Sequence, residues 1–186
     1  ALEVVARRPG AHDPESVRLL WTGKDTAPEA RSLDQALLEV IKSAKTHLWI
    51  VSYVSYGADQ AVAAMRDRIL DGVRVRMVVE PSIAAGGTLD YDSSVWLRQN
   101  VPGIELCWWP MERRPEVDGA RGALHAKAAV ADDELAVISS ANLTGRAMDA
   151  NLELGVLFRG GETPRSLRSR LDTMAASGVF APFPRR

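Results

Sequence analysis

The chain has 186 residues, of which 46% are hydrophobic and 25% charged, and its formal net charge is -1. That length suits one domain with a sizeable core, and no run of eighteen or more apolar residues marks a membrane span. Near-neutrality excludes a global field drawing the molecule to nucleic acid or anionic membranes and leaves room only for local basic patches. Cys107 is the single cysteine, which excludes an internal disulfide and a multi-cysteine metal site and suits a reducing compartment. The chain opens Ala-Leu-Glu without the basic-then-apolar layout of a signal peptide, so the expectation is one domain over 1–186, trimmed at its N-terminus, cytoplasmic and without membrane contact.

From Ser32 the spacing Leu33, Leu37, Val40, Ile41 and Ala44 follows one helical face, with Ser32 and Gln35 placed as a capping box. His47 to Val54 is a short apolar run rich in β-branched and aromatic residues, which predicts a buried strand. Asp59 to Leu70 carries Val62, Met65 and Ile69 at helical spacing, Gly72 stops it, and Val73 to Val79 predicts a second strand. Pro81 to Asp92 is a loop at the C-terminal end of that strand, where open α/β sheets commonly bind ligands. Ser94 to Gln99 predicts a short helix, Ile104 to Trp109 a strand, and Pro110 to Gly122 an irregular charged connection. Trp108 and Trp109 are offered either to a stacking base or to the core. Ala123 to Val130 and Glu134 to Ser139 predict a hairpin turning at Asp132-Asp133, and Leu152 to Phe158 a further strand. A last helix is announced by Thr163 as cap and Pro164 as first helical residue. Helices alternating with apolar strands imply a layered α/β architecture.

His125 and Lys127 stand two apart on a predicted strand, so both side chains point to one face. Lysine is scarce here, occurring only at Lys24, Lys42, Lys45 and Lys127. An ammonium beside an imidazole suits an anion: the lysine supplies a point charge, and the histidine either attacks phosphorus or protonates a leaving oxygen. Such a pair alone is usually a solvated polar face, but its surroundings are specific. Asp132 follows Lys127 after four residues, six more lead to Ser139-Ser140-Ala141-Asn142, and Glu153 lies eleven beyond Asn142. This resembles the signature of the phospholipase D superfamily, His-x-Lys-x4-Asp-x6-Gly-Ser-x-Asn followed by a glutamate. Six matches at fixed spacing arise by chance on the order of once in 10⁶ chains of this size. Ser139 departs from the usual glycine. The wider text, Leu20-Trp21-Thr22-Gly23, Val51-Ser52-Tyr53, Gly72-Val73-Arg74-Val75 and Ser140-Ala141-Asn142-Leu143-Thr144-Gly145, is similar to the DrmC-type phospholipase-D-like proteins of DISARM phage-defence systems.

The resemblance implies an α-β-α sandwich with a mixed sheet, and a two-step reaction without metal or other cofactor. His125 is then the nucleophile that forms a phosphohistidine. Lys127 and Asn142 hold the non-bridging oxygens as preorganised donors, and Ser140 adds a hydroxyl. Glu153 accepts from the second ring nitrogen of a histidine. Asp132 has an odd offset from His125 and sits beside a turn, so it reads as structural, bonded to nearby backbone. Arg113, Arg114 and Arg121 are candidates for flanking phosphates, their alternative being a solvated basic loop. Two histidines are needed, one to attack and one to protonate the leaving group, yet His12 and His47 lack the motif context. A homodimer with two His125 rings meeting across a two-fold axis resolves the deficit. Three functions remain open: a nuclease of bacterial antiviral defence, working with other defence proteins; a phospholipid phosphodiesterase or transphosphatidylase; and a nucleic-acid-binding module without catalysis.

Overall fold

The computed structural model describes residues 3–4, 16–22, 33–52, 55–56, 58–85, 87–90, 92–144 and 152–183. In chain order the strands are β1 (Glu3–Val4), β2 (Ser16–Thr22), β3 (His47–Ser52), β4 (Ser55–Tyr56), β5 (Arg74–Val79), β6 (Glu105–Trp108), β7 (Glu116–Val117), β8 (Ala120–Arg121), β9 (Ala128–Ala131), β10 (Leu135–Ser139), β11 (Leu143–Thr144), β12 (Glu153–Arg159) and β13 (Ala181–Pro182). The helices are α1 (Leu33–Ser43), α2 (Asp59–Leu70), α3 (Ser93–Asn100) and α4 (Glu162–Ala176). Nine strands form one mixed sheet in the order β1-β2-β12-β10-β9-β3-β5-β6-β13. The neighbours β3, β5 and β6 run parallel, and the pairs on the other side of β3 are antiparallel.

Alternation along the strands builds two cores, one on each face. Leu48 and Ile50 of β3, Val75, Met77 and Val79 of β5, and Leu157 of β12 pack with the apolar stripes of α1 and α2. Trp49, Val51, Val78 and Val130 point the other way, to Leu171 of α4 and to Phe180. The result is the expected α-β-α layering. Asp172 pins α4 to its face of the sheet: it accepts from Trp49 Nε1 at 2.9 Å and Arg76 Nη2 at 2.6 Å, and Arg168 joins it at 3.0 Å. Arg76 also lies 4.0 Å over the Trp49 ring, a cation–π contact in a largely dry setting.

The predicted helix Asp59–Leu70 has its expected bounds. Ser32, the expected cap of α1, lies outside the described residues. The last helix starts earlier than predicted: Gly161, at φ 74, is its N-cap and Glu162 its first residue. Gly160 and Gly161 both take left-handed backbone to turn the chain out of β12, which leaves Pro164 in the first turn, where its missing N–H is not needed. Among the described residues no helix is long and apolar enough to cross a membrane.

Candidate active site

The strand registers bring one edge of the sheet together. Val51 of β3 lies opposite Ala128, the first residue of β9, Ile138 of β10 also lies opposite Ala128, Ser139 lies opposite Gly155, and Glu153 lies opposite Thr22. The C-terminal ends of β2, β3, β5 and β10 therefore share an edge with the N-terminal ends of β9 and β12. The motif residues other than Asp132 gather there.

The hairpin β9–β10 forms as expected, but the strand proper begins at Ala128 rather than Ala123. Lys127 still belongs to the ladder through its carbonyl, which accepts the Ser139 N–H at 3.1 Å, whereas His125 lies in the extended segment before it. The pair meets through the lysine: Nζ donates to the His125 carbonyl at 2.8 Å and stands 3.0 Å from Nδ1 and 3.4 Å from Nε2 of the ring. His125 is exposed and Lys127 buried. Burial pushes the Lys127 ammonium below its ordinary pKa, with the Glu153 carboxylate opposing that shift. The cation thus sits in the wall of the site and the imidazole at its mouth.

Ser140 donates its hydroxyl hydrogen to Glu153 Oε2, and its oxygen accepts the Leu154 N–H at 3.1 Å. This places a hydroxyl beside the carboxylate expected to serve an imidazole. Asn142 follows in the loop after β10, half-buried, and its Oδ1 is buried without a hydrogen-bond partner. A buried acceptor left unpaired is open to a donor from a bound ligand. Ser139, which replaces a glycine of the motif, is accommodated by its cross-strand neighbour: a Cβ on Gly155 would lie 3.0 Å from the Ser139 Cβ.

Asp132 is at the far end of β9 from His125. Its carboxylate accepts the backbone N–H groups of Lys45, Thr46 and His47 at 2.8, 3.1 and 2.9 Å and the Thr46 hydroxyl at 2.5 Å. Burial alone would raise its pKa, but these donors outweigh burial and hold the carboxyl below its ordinary range. The residue takes left-handed backbone at φ 51, a conformation aspartate tolerates better than most, so it both makes the hairpin turn and fastens β3.

The three arginines separate. Arg114 corrects the sequence reading: it is buried and all five of its N–H donors are used. They go to Glu80 Oε1 and Oε2 at 2.8 and 3.0 Å, to the Trp109 carbonyl at 2.9 and 2.6 Å, and to the Gly122 carbonyl at 3.1 Å. It has nothing left for a phosphate. Arg113 donates to the Gly178 carbonyl, and Arg121 donates to Met111 O at 2.6 Å while facing Glu116 at 3.5 Å. Both are exposed. Trp108 packs on Phe183 with ring centroids 6.1 Å apart, and Trp109 lies under the Arg114 guanidinium, so neither is presented as a free stacking platform.

Glu80 was not foreseen. It is fully buried at the end of β5, and besides Arg114 it accepts the Thr88 hydroxyl at 3.0 Å and the Leu124 N–H at 3.2 Å. One carboxylate thereby ties the loop after β5 and the 109–124 connection to the residue preceding His125. A lone glutamate closing the apolar run Met77-Val78-Val79 was the available signal.

Residues 37–175 match the family described as "Cardiolipin synthase, PLD-like domain". The chain belongs to this phospholipase-D-like family. Cardiolipin synthase B of Escherichia coli (strain K12) is 24% identical over 176 residues, covering 92% of this chain and 38% of that protein. Cardiolipin synthase A of Pseudomonas entomophila (strain L48) is 32% identical over 149 residues, covering 72% of this chain and 29% of that protein. The chain thus spans well under half the length of these relatives. Among solved structures, the phospholipase D family member Nuc from Salmonella typhimurium aligns with a TM-score of 0.62 at 22% identity, covering 92% of this chain and 99% of its own. NucT from Helicobacter pylori aligns with a TM-score of 0.70 at 18% identity, covering 91% and 99%. The phospholipase-D-like fold accounts for the layered sheet.

Proposed function

We propose that this domain is a phosphodiesterase that cleaves nucleic acid without a metal ion, through a phosphohistidine on His125, in a site completed by a second copy of the chain. The observation that carries the reading is the convergence of the Lys127 ammonium on the His125 ring at 3.0 Å, on the sheet edge that also holds Ser140, Asn142 and Glu153. A phosphate seated there meets a fixed cation and an imidazole at once. The His125 nitrogen attacks phosphorus and the bond to the leaving oxygen breaks, with the proton for that oxygen coming from the partner copy's imidazole. Water then attacks phosphorus, the P–N bond breaks, and the water proton passes to the imidazole that gave one up. Lys127 and Asn142 stabilise the charge on the non-bridging oxygens, which donors already in place do at little reorganisation cost. Arg113 and Arg121 are offered to flanking phosphates. The resemblance of its sequence to DISARM phospholipase-D-like proteins supports a role in bacterial anti-phage defence, alongside other defence proteins.

Cleavage of labelled single- and double-stranded DNA and RNA in excess chelator tests this. Cleavage should persist in chelator and vanish in His125→Ala. Intact nucleic acid after incubation with a folded dimer would contradict the nuclease assignment, and equal DNA binding by both proteins without turnover would favour a binding module. A second reading, phospholipid phosphodiester chemistry, is favoured by the family description and by the cardiolipin synthases. Headgroup release from anionic phospholipid vesicles, with nucleic acid left intact, would establish it instead.

A further inference from the structure

We infer that Ser52, the last residue of β3, is a positioning residue: its buried hydroxyl holds the turn that carries Asn142 in a set place beside Lys127. The inference rests on the proposal that these two donors hold the phosphate, and it says what fixes one against the other.

Along β3, alternation sends Leu48, Ile50 and Ser52 to the α1 side of the sheet. The serine is 1% exposed, as enclosed as the leucine and isoleucine before it. A hydroxyl taken out of water costs stability unless it is hydrogen-bonded, so packing alone would favour an apolar residue here. The Ser52 oxygen accepts the Leu143 N–H at 3.0 Å.

That bond closes the turn on Asn142. The chain leaves β10 at Ser139, whose N–H is held by the Lys127 carbonyl at 3.1 Å, and the Ser140 N–H bonds the Leu154 carbonyl at 2.9 Å. The Ser139 hydroxyl, in the place of the motif glycine, donates to the Ala141 carbonyl at 3.4 Å. These contacts hold the start of the turn. Leu143, directly after Asn142, is then tied to β3 through Ser52, and from there β11 runs beside β4 with Leu143 opposite Ser55. Asn142 stands between two fixed points, one on β10 and one on β3. Without the hydroxyl the buried Leu143 N–H would be left unpaired, and the turn would shift to find it a partner.

The same serine neighbours Lys127. The β3–β9 ladder ends at the Val51–Ala128 pair, and one step further along that register stand Ser52 and Lys127. Both line a cavity of about 20 Å³, with Ser139, Ala141 and Leu143. A void of that size takes about one water, so the wall between the lysine and the turn is closely packed and passes on a displacement rather than absorbing it. Donors stabilise a transition state only where its charge develops, and misplacement by about 1 Å costs roughly 10²-fold in rate.

Steady-state kinetics on a chromogenic aryl phosphodiester test this in Ser52→Ala, Ser52→Cys, Ser52→Thr, Asn142→Ala and the double variant Ser52→Ala with Asn142→Ala, with circular dichroism as the check on folding. Alanine removes the acceptor, cysteine keeps the packing with a poor acceptor, and threonine keeps the hydroxyl, its extra methyl entering the adjoining cavity. The alanine and cysteine variants should lose about tenfold in kcat with KM within about twofold of wild type, because the donors act on the transition state. Threonine should keep the rate within about twofold of wild type, and the double variant should be no slower than Asn142→Ala, since residues that act as a unit are not additive. Affinity for orthovanadate, a five-coordinate mimic of phosphorus under attack, should follow the same order. If Ser52→Ala fails to fold, the cysteine and threonine variants carry the same comparison. Wild-type kcat in Ser52→Ala or Ser52→Cys, losses that multiply with Asn142→Ala, or a Ser52→Thr as slow as Ser52→Ala would each overturn the inference. A wild type that binds vanadate without cleaving would overturn the phosphodiesterase reading and leave the vanadate series to decide Ser52, and one that does neither would overturn both.

Discussion

Replacing Arg114 with methionine should destabilise the domain more than its place in a surface-connecting loop suggests. The guanidinium and the Glu80 carboxylate are both fully buried, and methionine keeps most of the side-chain volume while removing the charge and five donors. Glu80 would keep only the Thr88 hydroxyl and the Leu124 N–H as donors. Breaking a buried ion pair by removing one partner costs about 3–5 kcal/mol, because the remaining charge stays out of water. For a domain of this size each kcal/mol lowers the unfolding midpoint by roughly 2–4 °C, so the midpoint should fall by about 10 °C. Thermal unfolding followed by circular dichroism measures it. The double variant Glu80→Leu with Arg114→Met removes both charges and should recover much of the lost stability. Its rate in the proposed phosphodiesterase reaction should nevertheless fall below wild type, since the Leu124 N–H and the Gly122 carbonyl, which flank the segment leading to His125, have lost their partners. A midpoint shift under about 3 °C in Arg114→Met would mean that the buried pair does not hold the fold, and full activity in the double variant would mean that it does not position His125.

Asp132→Ala should lose about 2 kcal/mol, measured by denaturant unfolding at pH 7, because four donors lose a shared charged acceptor. The folded-state pKa of Asp132 lies below its unfolded value near 4, so its contribution is present above pH 4 and is lost as pH falls through the folded pKa. Wild type should therefore lose stability more steeply than Asp132→Ala below pH 4, a difference that parallel acid titrations would show. Gly155→Ala should destabilise by about 1–3 kcal/mol, since its Cβ would stand 2.5 Å from Leu33 Cδ2 and 3.0 Å from the Ile138 carbonyl oxygen. An unchanged denaturation midpoint would mean that β10 and β12 can spread. Burial, assisted by Glu105, pushes the Cys107 thiol above its ordinary pKa against the pull of Arg76 and Arg74. Its modification by a disulfide reagent at pH 7.5 should be about tenfold slower than that of a free cysteine, and equal rates would show an open thiol.

The helices and central strands were legible because their periodicity is carried by local sequence. Asp59–Leu70 needs only Val62, Met65 and Ile69 at helical spacing, and Asp132 reads as structural from its odd offset and its place beside a turn. The motif residues could be named from spacing, since a hairpin and the following strand fix which side chains share an edge. What escaped depends on contacts between distant segments. β2 is half apolar and pairs with β12 over a separation that no local pattern reveals. Arg114 looks like a surface cation until Glu80, thirty-four residues earlier, is folded onto it. His125 was expected within the strand, but Lys127 is the last residue to share the ladder, because the segment before it is held by Glu80 instead.

In the proposed reaction His125 forms a covalent bond to phosphorus. Mass spectrometry of the protein, quenched without acid during turnover of a phosphodiester substrate, tests it most directly, because phosphohistidine survives neutral and alkaline conditions. A substrate-derived phosphoryl adduct is expected on the peptide carrying His125, absent in His125→Ala and formed equally in the presence of chelator. Turnover with no adduct at His125, or turnover that continues in His125→Ala, would contradict it.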